Sequence, residues 1–545
     1  MNKLIIYQLL PRLFTNYCTA RVPHGTKEQN GCGTMAGITP KALKAIADLG
    51  ATHVWYTGII RHATAGRNTP AITKGQAGSP YAITDYYDIQ PDIAKDEAKR
   101  MQEFEALVKR THKAGLGVIL DFVPNHVSRE YRSVMKPEGV ADLGENDHPE
   151  WAFSPLNNFY YRPGERFTMD KDLQGYEEFP AKVTGNDCFS SHPSDNDWYE
   201  TVKLNYGVYY QGGGEKQFDP IPDTWSKMRD IVLFWASKGI DGLRVDMAEM
   251  VPVEFFEWMI PQVKKLYPGL LFIGECYDPN KYWSYIHAGF DYLYDKVGMY
   301  DYLRGVISKG WSAEGISNRW MERGDLLRNM LYFLENHDEQ RVASGFFCGS
   351  GLCAEPAMVV AATLTSSPVL LYMGQELGEK GMDFEGFSGI DGRTTIFDYW
   401  GVKSLQTWAN NGKFDGAGMD EEQKQLREFY RRLLTTARDS KAVTEGKMYD
   451  LVYAQRENFN RHRQYAFLRK AEEETLLIVV NFDDRTVDID VQIPADAFVY
   501  LEMEEVKEAQ MTDLMSGSEY TMPFNDHDPV RLSLGAWKAA ILKIR

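Results

Sequence analysis

The chain has 545 residues, too many for one compact core, so two or three domains are expected. Hydrophobic residues make up 43% and aromatics 13%, ample for a well-packed globular protein whose 31 Tyr and 12 Trp also offer faces for stacking flat ligands. A net charge of -17 with no Lys/Arg-rich block argues against a nucleic-acid partner, and no apolar run of about 18 residues exists to span a membrane.

The first segment, "MNKLIIYQLLPRLF", has one Lys and a short apolar stretch, but lacks a small-residue cleavage site and carries Pro11 and Arg12. It reads as a buried first strand (3–14) and not as a secretory signal, and a cytoplasmic location is expected. "TPKALKAIADLG" (39–50) opens with a Thr cap and Pro at the first helical position and stops at Gly50. "THVWYTGII" (52–60) is the second strand, and "EAKRMQEFEALVKRTHKAG" (97–115) the helix after it. "GVILDFV" (117–123) is the third strand. Residues 127–203 then interrupt the alternation. They are rich in Pro, Gly, Asn, Asp and aromatics without a helical period, which predicts an insertion subdomain.

Helix "TWSKMRDIVLFWASKG" (224–239) and strand "IDGLRVDM" (240–247) resume it. Strands five to eight are "LLFIGEC" (270–276), "GFDYLYD" (289–295), "MLYFLEN" (330–336) and "PVLLYMG" (368–374). Eight apolar strands alternating with helices predict an α/β fold, a (β/α)8 TIM barrel built from 1–126 and 204–438. From 439 to 545 the runs "MYDLVYAQ", "QYAFLRKA", "TLLIVVNF", "VDIDVQI" and "KAAILKI" predict a C-terminal all-β sandwich. There is no internal repeat and no low-complexity tract. The cysteines Cys18, Cys32, Cys188, Cys276, Cys348 and Cys353 lack zinc spacing, and all are expected as plain thiols, the "CGSGLC" pair included.

In a TIM barrel, side chains at the C-terminal strand ends line the active site. Strand three ends in "DFVPNH", with Asp121, Asn125 and His126; strand four in "GLRVD", with Arg244 and Asp246. Strand five ends in Glu275, and strand seven runs into "ENHDEQR", with His337 and Asp338. Carboxylates, imidazoles and a guanidinium therefore gather on one rim. No histidine cluster has metal spacing, no glycine loop precedes a helix in the manner of a phosphate cradle, and no "GxSxG" elbow is present. Paired carboxylates on adjacent strands, with aromatics, fit retaining glycoside hydrolysis, in which one carboxylate attacks and a protonated one assists departure.

"DFVPNH", "GLRVDMAEM", "IGEC" and "ENHD", in that order, resemble the four signature segments of the α-amylase family (glycoside hydrolase family 13), and the resemblance covers the whole chain. "SPVLLYMGQELG" is similar to its strand-eight segment and "SPYAITDYYDIQ" to the one supplying a stacking tyrosine. The resemblance implies Asp246 as nucleophile, Glu275 as general acid and then base, and Asp338 as the third carboxylate, gripping sugar hydroxyls. It implies Arg244 as the cation that holds the nucleophile ionised, His126 and His337 as hydrogen-bond partners of the sugar, and Tyr81 as the platform beneath it. Asn125 and Asp121 are expected to brace the loop, and Arg341 to pair with a neighbouring carboxylate.

There are departures. Glu249 and Met250 stand where many members carry Lys-His on the leaving-group side, and Ser79 and Pro80 precede the tyrosine in place of His-Gly or Asp-Gly. Many members hold a structural calcium, one ligand being an aspartate that corresponds to Lys203 in "VKLN". An ammonium cannot ligate calcium and fills the same electrostatic role, so no cofactor is expected. The expected activity is hydrolysis of α-1,4-glucan or malto-oligosaccharide. The alternatives are a transglycosylase or isomerase on the same scaffold, and a non-catalytic sugar-binding protein.

Overall fold

In the computed structural model, which describes residues 3–545, eight short strands form one parallel sheet. They are β1 (Ile5–Leu9), β2 (His53–Tyr56), β3 (Gly117–Phe122), β4 (Gly242–Val245), β5 (Leu271–Gly274), β6 (Tyr292–Tyr294), β7 (Met330–Leu331) and β8 (Val369–Tyr372). Their spatial order is β7-β6-β5-β4-β3-β2-β1-β8. The ring closes through the parallel bridge between Tyr332 and Val369, with Tyr332 N donating to Pro368 O (3.0 Å) and Leu370 N to Tyr332 O (2.9 Å).

A principal helix follows each strand: α1 (Pro40–Asp48), α2 (Arg100–Lys113), α3 (Asp223–Ser237), α4 (Val253–Leu266), α5 (Tyr282–His287), α6 (Asp301–Lys309), α7 (Glu355–Thr363) and α8 (Glu421–Asp439). Helix α1 starts where the sequence signals it, the Thr39 hydroxyl accepting from Ala42 N behind Pro40. The strands alternate as a two-residue period requires. Ile6, Trp55, Ile119, Ile273, Tyr294, Leu331 and Leu370 fill the barrel interior, while Ile5, Tyr7, Val54, Tyr56, Val118 and Leu120 join the layer shared with the helices.

All eight ladders are shorter than the apolar runs predict, and at two of them the cause is plain. Strand β1 stops at Leu9 because Pro11 has no N–H for a ladder and starts the helical turn Pro11–Phe14. The seventh strand, expected over 330–336, keeps its ladder only at Met330–Leu331 and the Tyr332 bridge. Past Leu334 the polar side chains take over, and Asn336 Oδ1 turns the chain by accepting from Asp338 N (2.9 Å) and Glu339 N (3.0 Å).

The segment between β3 and α3 is pinned at its mouth by an antiparallel pair, His126–Ser128 with Thr201–Lys203, and further out by Tyr161–Arg162 with Ala181–Lys182. Ile72, Phe167, Met169 and Ala181 form a small apolar cluster there. The C-terminal region holds β9 (Lys447–Asp450), β10 (Gln464–Ala471), β11 (Glu474–Asn481), β12 (Val487–Val491), β13 (Val506–Asp513), β14 (Glu519–Phe524), β15 (Val530–Leu534) and β16 (Ala539–Ile544). The antiparallel sheet β9-β10-β11-β16-β13-β14 faces the pair β12-β15. Ala466, Leu468, Leu477 and Val479 fill the space between the sheets, and the alternate residues Tyr465, Phe467, Leu476 and Ile478 belong to the barrel's own core. The sandwich is thus fused to the barrel through one face.

One expectation is corrected. Cys348 and Cys353 are joined in a disulfide, with Cα atoms 6.5 Å apart, while Cys18, Cys32, Cys188 and Cys276 are free. The loop after β7 doubles back, Cys348 N donating to Val342 O (3.1 Å) and Gly349 N to Ser344 O (2.8 Å), and this local fold brings the two thiols together. No described helix is long and apolar enough to cross a membrane.

Candidate active site

Asp246 and Glu275 are the first residues beyond neighbouring strands β4 and β5. The ladder fixes both: Asp246 N donates to Phe122 O (2.8 Å) and Glu275 N to Val245 O (3.0 Å). Arg244, two residues before Asp246, projects from the same face of the strand and is 1% exposed. Its Nη1 donates to Asp246 Oδ1 (2.6 Å), and its Nη2 lies 2.7 Å from Glu275 Oε2 as an ion pair. Asp121 Oδ1 stands at 3.5 Å from Nη1, and Trp55 Nε1 donates to Asp121 Oδ2 (2.9 Å). Rings of Trp55, Tyr81 and Tyr294 lie 5.3 to 5.6 Å from the guanidinium carbon.

One buried cation cannot neutralise three carboxylates. Burial pushes the Asp246 carboxyl well up, Arg244 opposes the rise, and Glu275 and Asp121 add to it. Asp121 is raised for the same first reason, against the pull of Arg244 and His337. Burial works against the charge of Arg244, but Glu275, Tyr294, Tyr81 and Asp246 outweigh it and keep the guanidinium ionised. Burial therefore pulls Asp246 and Asp121 toward the neutral form, and the Arg244 guanidinium pulls both back toward the carboxylate.

His337 and Asp338 stand in the loop after β7. The side-chain amide of Gln8, on β1, meets His337 Nδ1 at 2.8 Å, leaving Nε2 to face the cavity side. That nitrogen lies 2.9 Å from Asp338 Oδ2 and 2.5 Å from the Tyr81 hydroxyl, and the Tyr81 ring stacks on the imidazole at 5.1 Å. Burial would raise the Asp338 carboxyl, but His337, Arg244 and Arg393 together hold it below its ordinary value.

His126 reaches the site from the mouth of the insertion, its ring edge-on to Trp198 at 5.3 Å. Burial, then the ammonium groups of Lys203 and Lys74, push its imidazole down to about 3, so it is neutral at ordinary pH. Behind it the Lys203 ammonium donates to Asn125 Oδ1 (2.8 Å) and pairs with Asp187 (2.5 Å), and Met250 O lies at 3.5 Å. A cation of the chain's own already occupies this ring of oxygens, and the donor set does not fit a calcium ion. Asn125 and Asp121 brace their surroundings and do not line the cavity. Arg341 pairs with Glu335 at 2.8 Å in the interior.

Tyr81, His126, Asp246, Glu275 and Asp338 share the wall of one cavity of about 430 Å³. The same wall includes Met247, within the strand-four motif, and Lys74, Trp198, Glu200, Tyr277, Phe387 and Phe397, which the motifs do not mark. Tyr277 was findable, since it lies only two residues past Glu275. Trp198, Glu200, Phe387 and Phe397 come from the insertion and the loop after β8, where no local pattern signals a shared wall. Elsewhere, His24, Glu385 and Asp398 bring ligand atoms within 4.8 Å of one another, as do Glu505, Asp526 and His527.

Residues 8–288, just over half of the chain, match the family model for the alpha-amylase catalytic domain. Alpha-amylase 3 of Dictyoglomus thermophilum is 23% identical over 454 residues, 77% of this chain and 78% of that one. Neopullulanase 2 of Thermoactinomyces vulgaris is 22% identical over 90% of this chain and 71% of its own length. An alpha-1,4-glucan:maltose-1-phosphate maltosyltransferase of Cereibacter sphaeroides is 29% identical over 46% of this chain and 34% of that protein. Among solved structures, a maltogenic alpha-amylase from Thermotoga neapolitana superposes with a TM-score of 0.63 at 20% identity, covering 99% of this chain and 98% of that one. An alpha-amylase from Geobacillus thermoleovorans, complexed with acarbose, gives 0.65 at 17% identity over 99% and 98%. The chain belongs to the α-amylase family, glycoside hydrolase family 13, and is an enzyme of the glycoside hydrolase type.

Proposed function

We propose that the chain is a retaining α-glycoside hydrolase that cleaves α-1,4-glucosidic bonds in starch-derived glucans or malto-oligosaccharides. The supporting observation is the sharing of Arg244. Its two terminal nitrogens hold Asp246 and Glu275 at 2.6 and 2.7 Å, which sets the two carboxyl groups side by side on one cation, the pairing on which a covalent glycosyl intermediate depends. Asp246 attacks the anomeric carbon while Glu275 gives its proton to the departing oxygen. Water then returns its proton to Glu275 and releases the sugar from Asp246. Asp338 grips hydroxyls of the distorted ring, neutral His126 hydrogen-bonds the same sugar, and Tyr81 lies beneath it; His337, expected to touch the sugar, is instead buried behind the wall with both ring nitrogens engaged by Gln8, Asp338 and Tyr81, and acts by holding Asp338 and Tyr81 in place.

The likeness to a maltosyltransferase supports a second reading, in which a sugar hydroxyl and not water takes the glycosyl group. The test is product analysis on soluble starch, maltoheptaose, pullulan and sucrose, with and without added acceptor sugar, beside Asp246→Asn. Release of α-configured maltosides that falls by orders of magnitude in Asp246→Asn supports hydrolysis. Longer products with acceptor present favour transfer. No turnover of any of these substrates by the wild type refutes both.

A further inference from the structure

Glu249 stands three residues after Asp246, at a departure from the family pattern, and its carboxylate is absent from the cavity wall. Met247 adopts a left-handed conformation (φ 42°), and the short turn Ala248–Met250 carries Glu249 beneath the loop that follows β5. There Glu249 Oε2 accepts from the backbone N–H of Tyr277 (3.1 Å) and of Asp278 (3.0 Å), with the Cys276 thiol at 3.6 Å. Tyr277 in turn donates its hydroxyl to Glu275 Oε1 at 2.5 Å, and Met247 N donates to Glu275 Oε2 at 2.8 Å.

We infer that Glu249 and Tyr277 are positioning residues for Glu275: Glu249 clamps the loop carrying Tyr277, and the Tyr277 hydroxyl fixes the plane of the proton-donating carboxyl. This rests on the proposed role of Glu275 as proton donor. Oε2 is held from the β4 side by Met247 N and Arg244, whereas Tyr277 is the hydrogen-bond partner on Oε1. Tyr277 itself is on a loop, and the fixed charge meeting that loop's backbone N–H groups is Glu249. A carboxylate accepting two N–H bonds at once defines a backbone conformation more tightly than the lysine usual at this position, which has no acceptor. With the relay intact, the proton on Glu275 passes to the glycosidic oxygen as that C–O bond breaks and the Asp246–carbon bond forms.

The test exploits the leaving group. A sugar leaving from maltotriose needs its oxygen protonated; fluoride leaving from α-glucosyl fluoride does not. Wild type, Tyr277→Phe, Glu249→Ala, Glu249→Gln and Glu275→Gln are compared on both substrates, with thermal unfolding as the control for folding. Tyr277→Phe and Glu249→Ala should lose roughly ten-fold or more in kcat/KM on maltotriose and no more than about two-fold in kcat/KM on glucosyl fluoride, because kcat/KM reports only the step in which the leaving group departs and not the later attack of water that Glu275 also assists. Glu249→Gln, which keeps an oxygen for the loop N–H groups, should recover most of the loss. Equal losses on both substrates, or none on maltotriose, overturn the inference. If Glu275→Gln itself shows no such split, the reading of Glu275 as proton donor fails, and the relay with it. Should Glu249→Ala not fold, Tyr277→Phe alone decides.

Discussion

Replacing Arg341 with Met should destabilise this enzyme far more than a typical substitution does. The guanidinium is fully buried and its partner Glu335 is 2% exposed, with Nη1 and Oε2 2.8 Å apart. Arg341 Nε also donates to Thr394 Oγ1 (2.9 Å), and the guanidinium lies 4.0 Å above the Tyr372 ring. Without Arg341, the Glu335 carboxylate keeps a single donor, Val342 N at 2.8 Å. Breaking one side of a buried pair costs about 3–5 kcal/mol, a large part of the roughly 5–15 kcal/mol that holds a domain folded. The pH dependence follows from the carboxyl. Burial already raises Glu335 while Arg341 opposes the rise, so the variant raises it further. A carboxyl raised in the folded state binds more protons there than in the unfolded chain, so stability grows as pH falls toward the unfolded value. The deficit of Arg341→Met should therefore be largest near neutral pH and shrink on acidification. Urea unfolding followed by near-ultraviolet circular dichroism across that range measures it. Arg341→Met/Glu335→Leu, which removes both charges, should recover to within about 1 kcal/mol of the wild type. A single variant that costs under about 1 kcal/mol, or a double variant no better than the single, refutes the reasoning.

Three other outcomes are expected. Tyr81→Phe keeps the ring but loses the hydroxyl that meets His337, so kcat/KM on maltotriose should fall by roughly ten-fold, and Tyr81→Ala, which removes the platform, by ten-fold more; equal effects would show that the ring contributes nothing. Asp338 is held below its ordinary value, so its ionised form persists until pH falls through that lowered value; Arg393→Met removes one supporting cation and should move the acid limb of the kcat/KM profile to higher pH, with an unmoved limb counting against the assignment. Cys353→Ser opens the loop between Cys348 and Cys353, which chain entropy values at about 2 kcal/mol; peptide mapping without reductant should find the two cysteines linked in the wild type, and two free thiols there would contradict the fold of this loop.

Much of the architecture was legible in the sequence because it follows from local periodicity. Eight apolar runs, each followed by a helical pattern, specify a parallel barrel once burial on both faces is required, and the alternation from "QYAFLRKA" onward specifies a sandwich. The rim carboxylates were legible for the same reason, since a polar residue directly after an apolar strand has one place to stand. The tertiary structure decided what depends on contacts between distant segments. It joined Cys348 to Cys353 and set Lys203 among Asn125, Asp187 and Met250. It also turned Glu249 away from the cavity and under the loop of Tyr277. In each case the deciding partner is a backbone group or side chain brought close by the fold, and the pattern of neighbouring residues carries no record of that distance.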